Sequence, residues 1–291
     1  MATVEGVEMG PYSCTEGLNC ASVGQSSHAE GRYSHSFSPA SHAEGQSATL
    51  GTYSHSEGGS DRFAPYVSMT ITAVTVTAPT QMKITVDTWN YKDPLYNVGY
   101  NPLVKIEGGE YSTIAAISSA DESTLSLSVY STVPIEVGYT VKQIMQMTVA
   151  GGLASHAEGY GCYAAAVGCH AEGEITIASA NYSHAEGSST RAEATSAHAE
   201  GYGSIASGNY SHSGGFKCLT TGTGSFAHGY GSTANRANMF AIGMYNVADS
   251  ITSNIFEVGS GISESRKQNA FSISTAGVVK ASSTITGSTT A

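Results

Sequence analysis

The chain has 291 residues and a formal net charge of −11, with 12% charged residues, 34 Gly, 7 Phe and 1 Trp. So acidic a chain lacks the clustered Lys and Arg that grip nucleic-acid phosphates, and no apolar run approaches the ~20 residues that cross a bilayer. Large apolar residues are too few for a conventional core, yet charge is too low for typical disorder; small residues in strict order suggest closely stacked backbone.

Residues 1–59 form the first element. The start, Met1-Ala2-Thr3-Val4-Glu5-Gly6, lacks the basic and apolar regions of a signal peptide. Glycines then step by sevens through Gly10, Gly17, Gly24 and Gly31. Pentads follow: Ser27-His28-Ala29-Glu30-Gly31, Ser41 to Gly45, and Ser54-His55-Ser56-Glu57-Gly58. Small residues at slots one, three and five of a five-residue unit read as a strand, because alternate side chains point to opposite faces. The two residues left in each heptad make a tight turn, where Gly or Asn tolerates unusual dihedrals. Two strands and two turns complete a coil of fourteen residues, and coils stack in parallel at about 4.8 Å. Ser, Ala and Gly then face inward, where nothing larger fits. The five Cys are odd in number and imply no complete disulfide framework. Cys20, Cys162, Cys169 and Cys218 fall in the Ser slot and read as small buried residues.

Residues 60–150 interrupt the ladder. Met69–Thr72, Lys83–Val86, Val104–Ile106, Leu125–Val129 and Thr140–Ile144 alternate like half-buried strands, punctuated by Pro65, Pro79, Pro94, Pro102 and Pro134. The expected structure is a small antiparallel β-barrel or sandwich inserted into the solenoid, its ends close together. Trp89, Tyr91, Tyr96 and Tyr100 form an aromatic cluster beside Asn, Asp and Lys, a composition suited to stacking on sugar rings. The competing reading packs these rings in the insert's own core or against a neighbouring subunit. Paired carboxylates for polysaccharide cleavage would have to come from Asp87, Asp93, Glu107 and Glu110.

In residues 151–250 the pentads resume at Ser155 to Gly159, and every terminal Gly to Gly243 follows the last by fourteen residues. The series decays through Ser225-Phe226-Ala227-His228-Gly229 to Met239-Phe240-Ala241-Ile242-Gly243. All ten His lie in the ladder, nine in the second slot of a pentad or half-repeat and His228 in the fourth. His28, Glu30, His42, Glu44, His156, Glu158, His170, Glu172, His184, Glu186, His198, Glu200 and His212 therefore line one column. One reading gives this column a solvated outer face. The other places it on a threefold axis, because its phase runs directly into Phe240 and Ile242. Identical copies at every coil argue against catalysis, for which an active site is a singular constellation. Converging imidazoles could hold an ion, but Glu satisfies His without one, so no metal, cofactor or catalytic residue is assigned. Stability is expected to respond to pH near the ordinary His pKa of about 6.5, with a sign the sequence does not give.

The pattern resembles the head of trimeric autotransporter adhesins, a left-handed parallel β-roll of Asn-Ser-Val-Ala-Ile-Gly and Ser-x-Ala-x-Gly units, over roughly 10–59 and 151–250. Met239-Phe240-Ala241-Ile242-Gly243 matches its apolar unit, whereas His and Glu replace the Val and Ile that face the trimer axis in that family. Residues 251–291, with Asn254-Ile255-Phe256-Glu257-Val258-Gly259 and Asn269-Ala270-Phe271-Ser272-Ile273, look like the segment that follows β-roll repeats in bacteriophage and prophage tail fibres. The resemblance implies an all-β homotrimer with 14-residue coils, a structural fibre protein without enzymatic activity. It would be assembled in the host cytoplasm and carried on the virion. Its partners would be other tail proteins and a host-surface glycan or protein receptor, with neither nucleic acid nor membrane insertion. A bacterial surface adhesin and a polysaccharide-degrading tail enzyme are the alternatives.

Overall fold

A computed structural model describes residues 10–18, 20–59, 65–78, 81–87, 103–108, 111–120, 124–129, 135–144, 148–248 and 253–282. No helix occurs among them, and parallel strands wind into a β-solenoid. The chain falls into two compact units, Met1–Tyr163 and Ala164–Ala291.

In the first unit the pentad strands Cys14–Leu18, His28–Arg32, His42–Gly45, His55–Gly58 and His156–Tyr160 stack in parallel and in register. Cys14 pairs with His28, His28 with His42, and His55 with His156. The half-repeat strands Ala21–Ser22, His35–Ser36, Ser47–Thr49 and Thr148–Ala150 stack as a second parallel sheet. One coil is a residue short, His42 pairing with His55, and the deletion falls in the turn at Gln46.

Alternation within each pentad decides what the coil encloses. Slot-three alanines Ala29, Ala43, Ala157, Ala171, Ala185, Ala199, Ala227 and Ala241 have no exposed surface. Slot-one hydroxyls are equally buried and tie the preceding turn. Ser27 Oγ donates to Gly24 O at 2.6 Å, Ser183 to Ala180 O at 2.6 Å and Ser225 to Gly222 O at 2.7 Å. Cys169 Sγ makes the same contact with Ala166 O at 2.9 Å, which is why a thiol can replace the hydroxyl. Cys20, Cys162, Cys169 and Cys218 are all buried, and burial pushes the thiols of Cys20, Cys169 and Cys218 up. The slot-five glycine is required by backbone. Gly187 has φ +100°, and a Cβ there would lie 2.2 Å from the carbonyl oxygen of Gly201 on the next coil.

Between His55–Gly58 and Thr148–Ala150 the chain departs from the coil and builds a closed antiparallel barrel of six strands, Pro65–Ala78, Gln81–Val86, Leu103–Gly108, Tyr111–Ala120, Thr124–Val129 and Thr140–Ile144. Of the two architectures expected for the insert, this is the barrel. Its core is conventional: Met69, Ile71, Ile84, Val86, Val104, Ile106, Leu125, Leu127, Ile135 and Val141 are buried together, with Val74, Met82 and Tyr139 against them. Burial at about 25 cal/mol per Å2 stabilises this part by the large side chains that the coils lack.

The second unit repeats the coil plan with strands His170–Glu174, His184–Ser188, His198–Ala199, His212–Phe216, Phe226–Tyr230, Phe240–Met244 and Asn254–Ser260, all parallel. Asn269–Ser274 and Val279–Ala281 then add in antiparallel sense. At this change Glu257 occupies the slot that Ala241 fills one strand earlier and is itself buried. Two amides satisfy its carboxylate, Asn254 Nδ2 at 2.8 Å and Asn246 Nδ2 at 2.5 Å. A polar plug therefore closes the coil interior where the repeat ends.

Candidate functional site

Slots two and four of every pentad point away from the coil interior, so the backbone register converts the sequence repeat into columns. His28, His42, His55 and His156 form one run of imidazoles in the first unit, with ring centroids 4.8, 5.0 and 4.9 Å apart and planes within 8° of parallel. His170, His184 and His198 stack at 4.8 Å in the second unit, and His212 meets His198 edge-on at the same distance. The spacing is that of hydrogen-bonded strands. Glu30, Glu44 and Glu158 accompany the first run, and Glu172, Glu186 and Glu200 the second.

Carboxylates bridge the rungs. His42 Nε2 lies 3.3 Å from Glu30 Oε1, His198 Nε2 3.2 Å from Glu186 Oε1, and His212 Nε2 3.2 Å from Glu200 Oε1. Each of these imidazoles thus contacts the glutamate one coil earlier. His170 instead contacts Glu172 of its own coil at 3.7 Å. The Nε2 atoms of His28, His55 and His184 are shielded from solvent and have no hydrogen-bond partner among the described residues.

Desolvation is the first cause of every shift resolved in the ladder. It holds His55, His184 and His212 below the ordinary His value, neighbouring imidazoles push the same way, and glutamates partly oppose it. His35, on the half-repeat sheet, is lowered furthest, to about 4, by burial. Burial therefore disfavours the charged imidazole at these four positions.

The histidine column changes character without changing face. His212 stacks on Phe226 at 4.9 Å, Phe226 on Phe240 at 4.6 Å, and Phe240 on Phe256 at 5.6 Å. Phe240 remains 39% exposed. A second aromatic column, unforeseen from sequence, follows the pentad glycine: Tyr202 stacks on Phe216 at 5.3 Å and Phe216 on Tyr230 at 4.4 Å. Its signal was present as aromatic residues fourteen apart, just outside the pentad. Trp89, Tyr91, Tyr96 and Tyr100 lie outside the described residues, as do Asp93 and Glu110. Asp87 is exposed and accepts a hydrogen bond from the Thr70 backbone N–H at 2.8 Å.

Comparison with protein-family models, curated proteins and solved structures finds no match. An imidazole beside a carboxylate can move protons, and here the pair recurs from coil to coil on one surface. What the arrangement does well is present a flat, periodic, half-buried face.

Proposed function

We propose that the chain is a structural fibre protein of a phage or prophage tail, in which three left-handed β-rolls associate through the His/Glu column. The observation that carries this is the passage from His212 through Phe226 and Phe240 to Phe256 on one face. Exposed aromatic surface in a continuous strip is unfavourable in water and marks an interaction face. A self-association that covers the phenylalanines also covers the histidines in phase with them. Closed threefold symmetry uses the same patch on every copy and leaves no open growth surface. The inserted barrel and its aromatic segment around Trp89 would then serve contact with a host-surface glycan.

Sedimentation equilibrium at neutral pH tests the assembly. The expected mass is three times that of one chain, and a monomer would overturn the reading. Antibody labelling of a phage lysate tests the location. Label on tails is expected, whereas label on the bacterial envelope would favour the surface-adhesin alternative. On a glycan array, Trp89→Ala with Tyr96→Ala should abolish binding; an unchanged signal would remove the sugar-stacking role.

A further inference from the structure

The fifth cysteine stands apart from the four that fill Ser slots. Cys14 opens the strand Cys14–Leu18, pairs with His28 of the strand His28–Arg32, and so occupies the histidine column itself. Glu16, two residues on, shares its face and pairs with Glu30. The segment Cys14-Thr15-Glu16-Gly17 is thus a rung of the ladder in which a thiol replaces the imidazole.

One donor atom from each of Cys14, Glu16 and His28 lies within 4.8 Å of the other two, and Cys14 Sγ is 4.0 Å from Glu16 Oε1. Cys14 and Glu16 are exposed, so ions reach them from solvent, while His28 Nε2 is shielded and has no hydrogen-bond partner among the described residues. A shielded imidazole nitrogen without a hydrogen-bond partner is unfavourable, and an ion at this point would satisfy it. His28 also belongs to the next group, with Glu30 and His42, whose donors lie within the same distance. Other rungs, such as Glu172, His184 and Glu186, offer nitrogen and oxygen alone.

We infer that Cys14, Glu16 and His28 form a binding site for a zinc-class transition metal ion. Donors on tetrahedral zinc sit about 3.3–3.8 Å apart, so the group must close by about 1 Å, which side-chain rotation on fixed strands supplies. Thiolate with imidazole and carboxylate favours zinc, cobalt or nickel over magnesium and calcium. The fourth position falls to Glu30 or water. On binding, the Cys14 S–H bond breaks, sulfur keeps the electron pair and donates it to the metal, and the proton leaves to solvent. Every ligand comes from one chain, so the site does not depend on trimer formation.

Cobalt(II) titration of the full chain, with a phosphine reductant keeping thiols reduced, tests the site. One equivalent per chain should produce the near-ultraviolet thiolate-to-cobalt absorption, and added zinc should remove it. Cys14→Ser and Cys14→Ala should abolish the band while keeping the wild-type circular dichroism. His28→Gln should weaken apparent affinity at least tenfold, and His184→Gln should change neither band nor affinity. Absence of the band up to millimolar cobalt would overturn the inference. So would a band that survives in folded Cys14→Ser or Cys14→Ala, or metal bound without a thiolate signal.

Discussion

At the scale of single residues, the fold assigns different tasks to neighbours in one pentad. In Ser183-His184-Ala185-Glu186-Gly187 the first residue ties a turn, the third fills the interior and the fifth turns the backbone. The second and fourth carry whatever chemistry the face presents. His35 shows the cost of desolvating a titratable group. Its folded value of about 4 lies below the ordinary 6.5, so the unfolded chain takes up a proton first as pH falls. The stability is present in full above about pH 6.5 and is lost progressively as pH falls toward 4. His55, His184 and His212 are lowered too and contribute with the same sign. Thermal melts should therefore give a lower Tm at pH 5 than at pH 7, and His35→Gln should shrink that difference. A Tm independent of pH across this range would contradict the buried neutral imidazole.

At the scale of elements, the coil is held by close backbone approach, and glycine permits that approach. Gly187→Ala places a methyl group against the Gly201 carbonyl and forces an L residue to φ +100°. The positive φ alone costs about 1–2 kcal/mol, and the 2.2 Å approach adds to it. The expected result is a lower Tm for this variant than for Gly138→Ala, which has positive φ but nothing within 4 Å of its Cβ. Equal losses would show that strain, and not stacking, sets the cost.

This slot logic was legible in the sequence because spacing alone fixes it. The same holds for the strands of the insert wherever apolar and polar residues alternate, as at Leu125-Ser126-Leu127. Tyr111–Ala120 was not foreseen, since Ala115-Ala116 and Ser118-Ser119 carry little contrast between its faces. Barrel closure was no more readable, because it depends on pairing between Thr140–Ile144 and Pro65–Ala78, distant in the chain. Cys14 escaped notice because Thr15 replaces the alanine by which the pentad is recognised.

At the scale of the whole molecule, two stability strategies share one chain. The barrel buries branched and long side chains, whereas the coils bury almost none and depend on hydrogen-bonded strands and turn ties. The two meet at a single turn, since His156 pairs with His55 and Thr148 with Ser47 as if nothing intervened. Replacing residues 59–147 by a two-residue turn should therefore leave a folded roll. Circular dichroism should keep its β signature and the melt should remain cooperative. Loss of the roll in this variant would mean that the barrel is needed to complete it.

That seam also sets a sequence of events for the folding chain. Leu50 N–H donates to Ala150 O at 2.8 Å and His55 N–H to Ser155 O at 3.0 Å, contacts between residues one hundred apart. Elsewhere successive parallel strands meet after only thirteen to sixteen residues, as with His42 and His55 or Phe240 and Phe256. Closing so long a loop from an unstructured chain carries an entropy that grows with its length, so this rung is the slowest to form unaided. A barrel that folds on its own brings both ends of the loop together beforehand. Pairing of the coils across the seam is therefore expected to follow barrel formation, and refolding followed by pulsed hydrogen exchange should protect Val104 and Ile106 before Leu50 and His55.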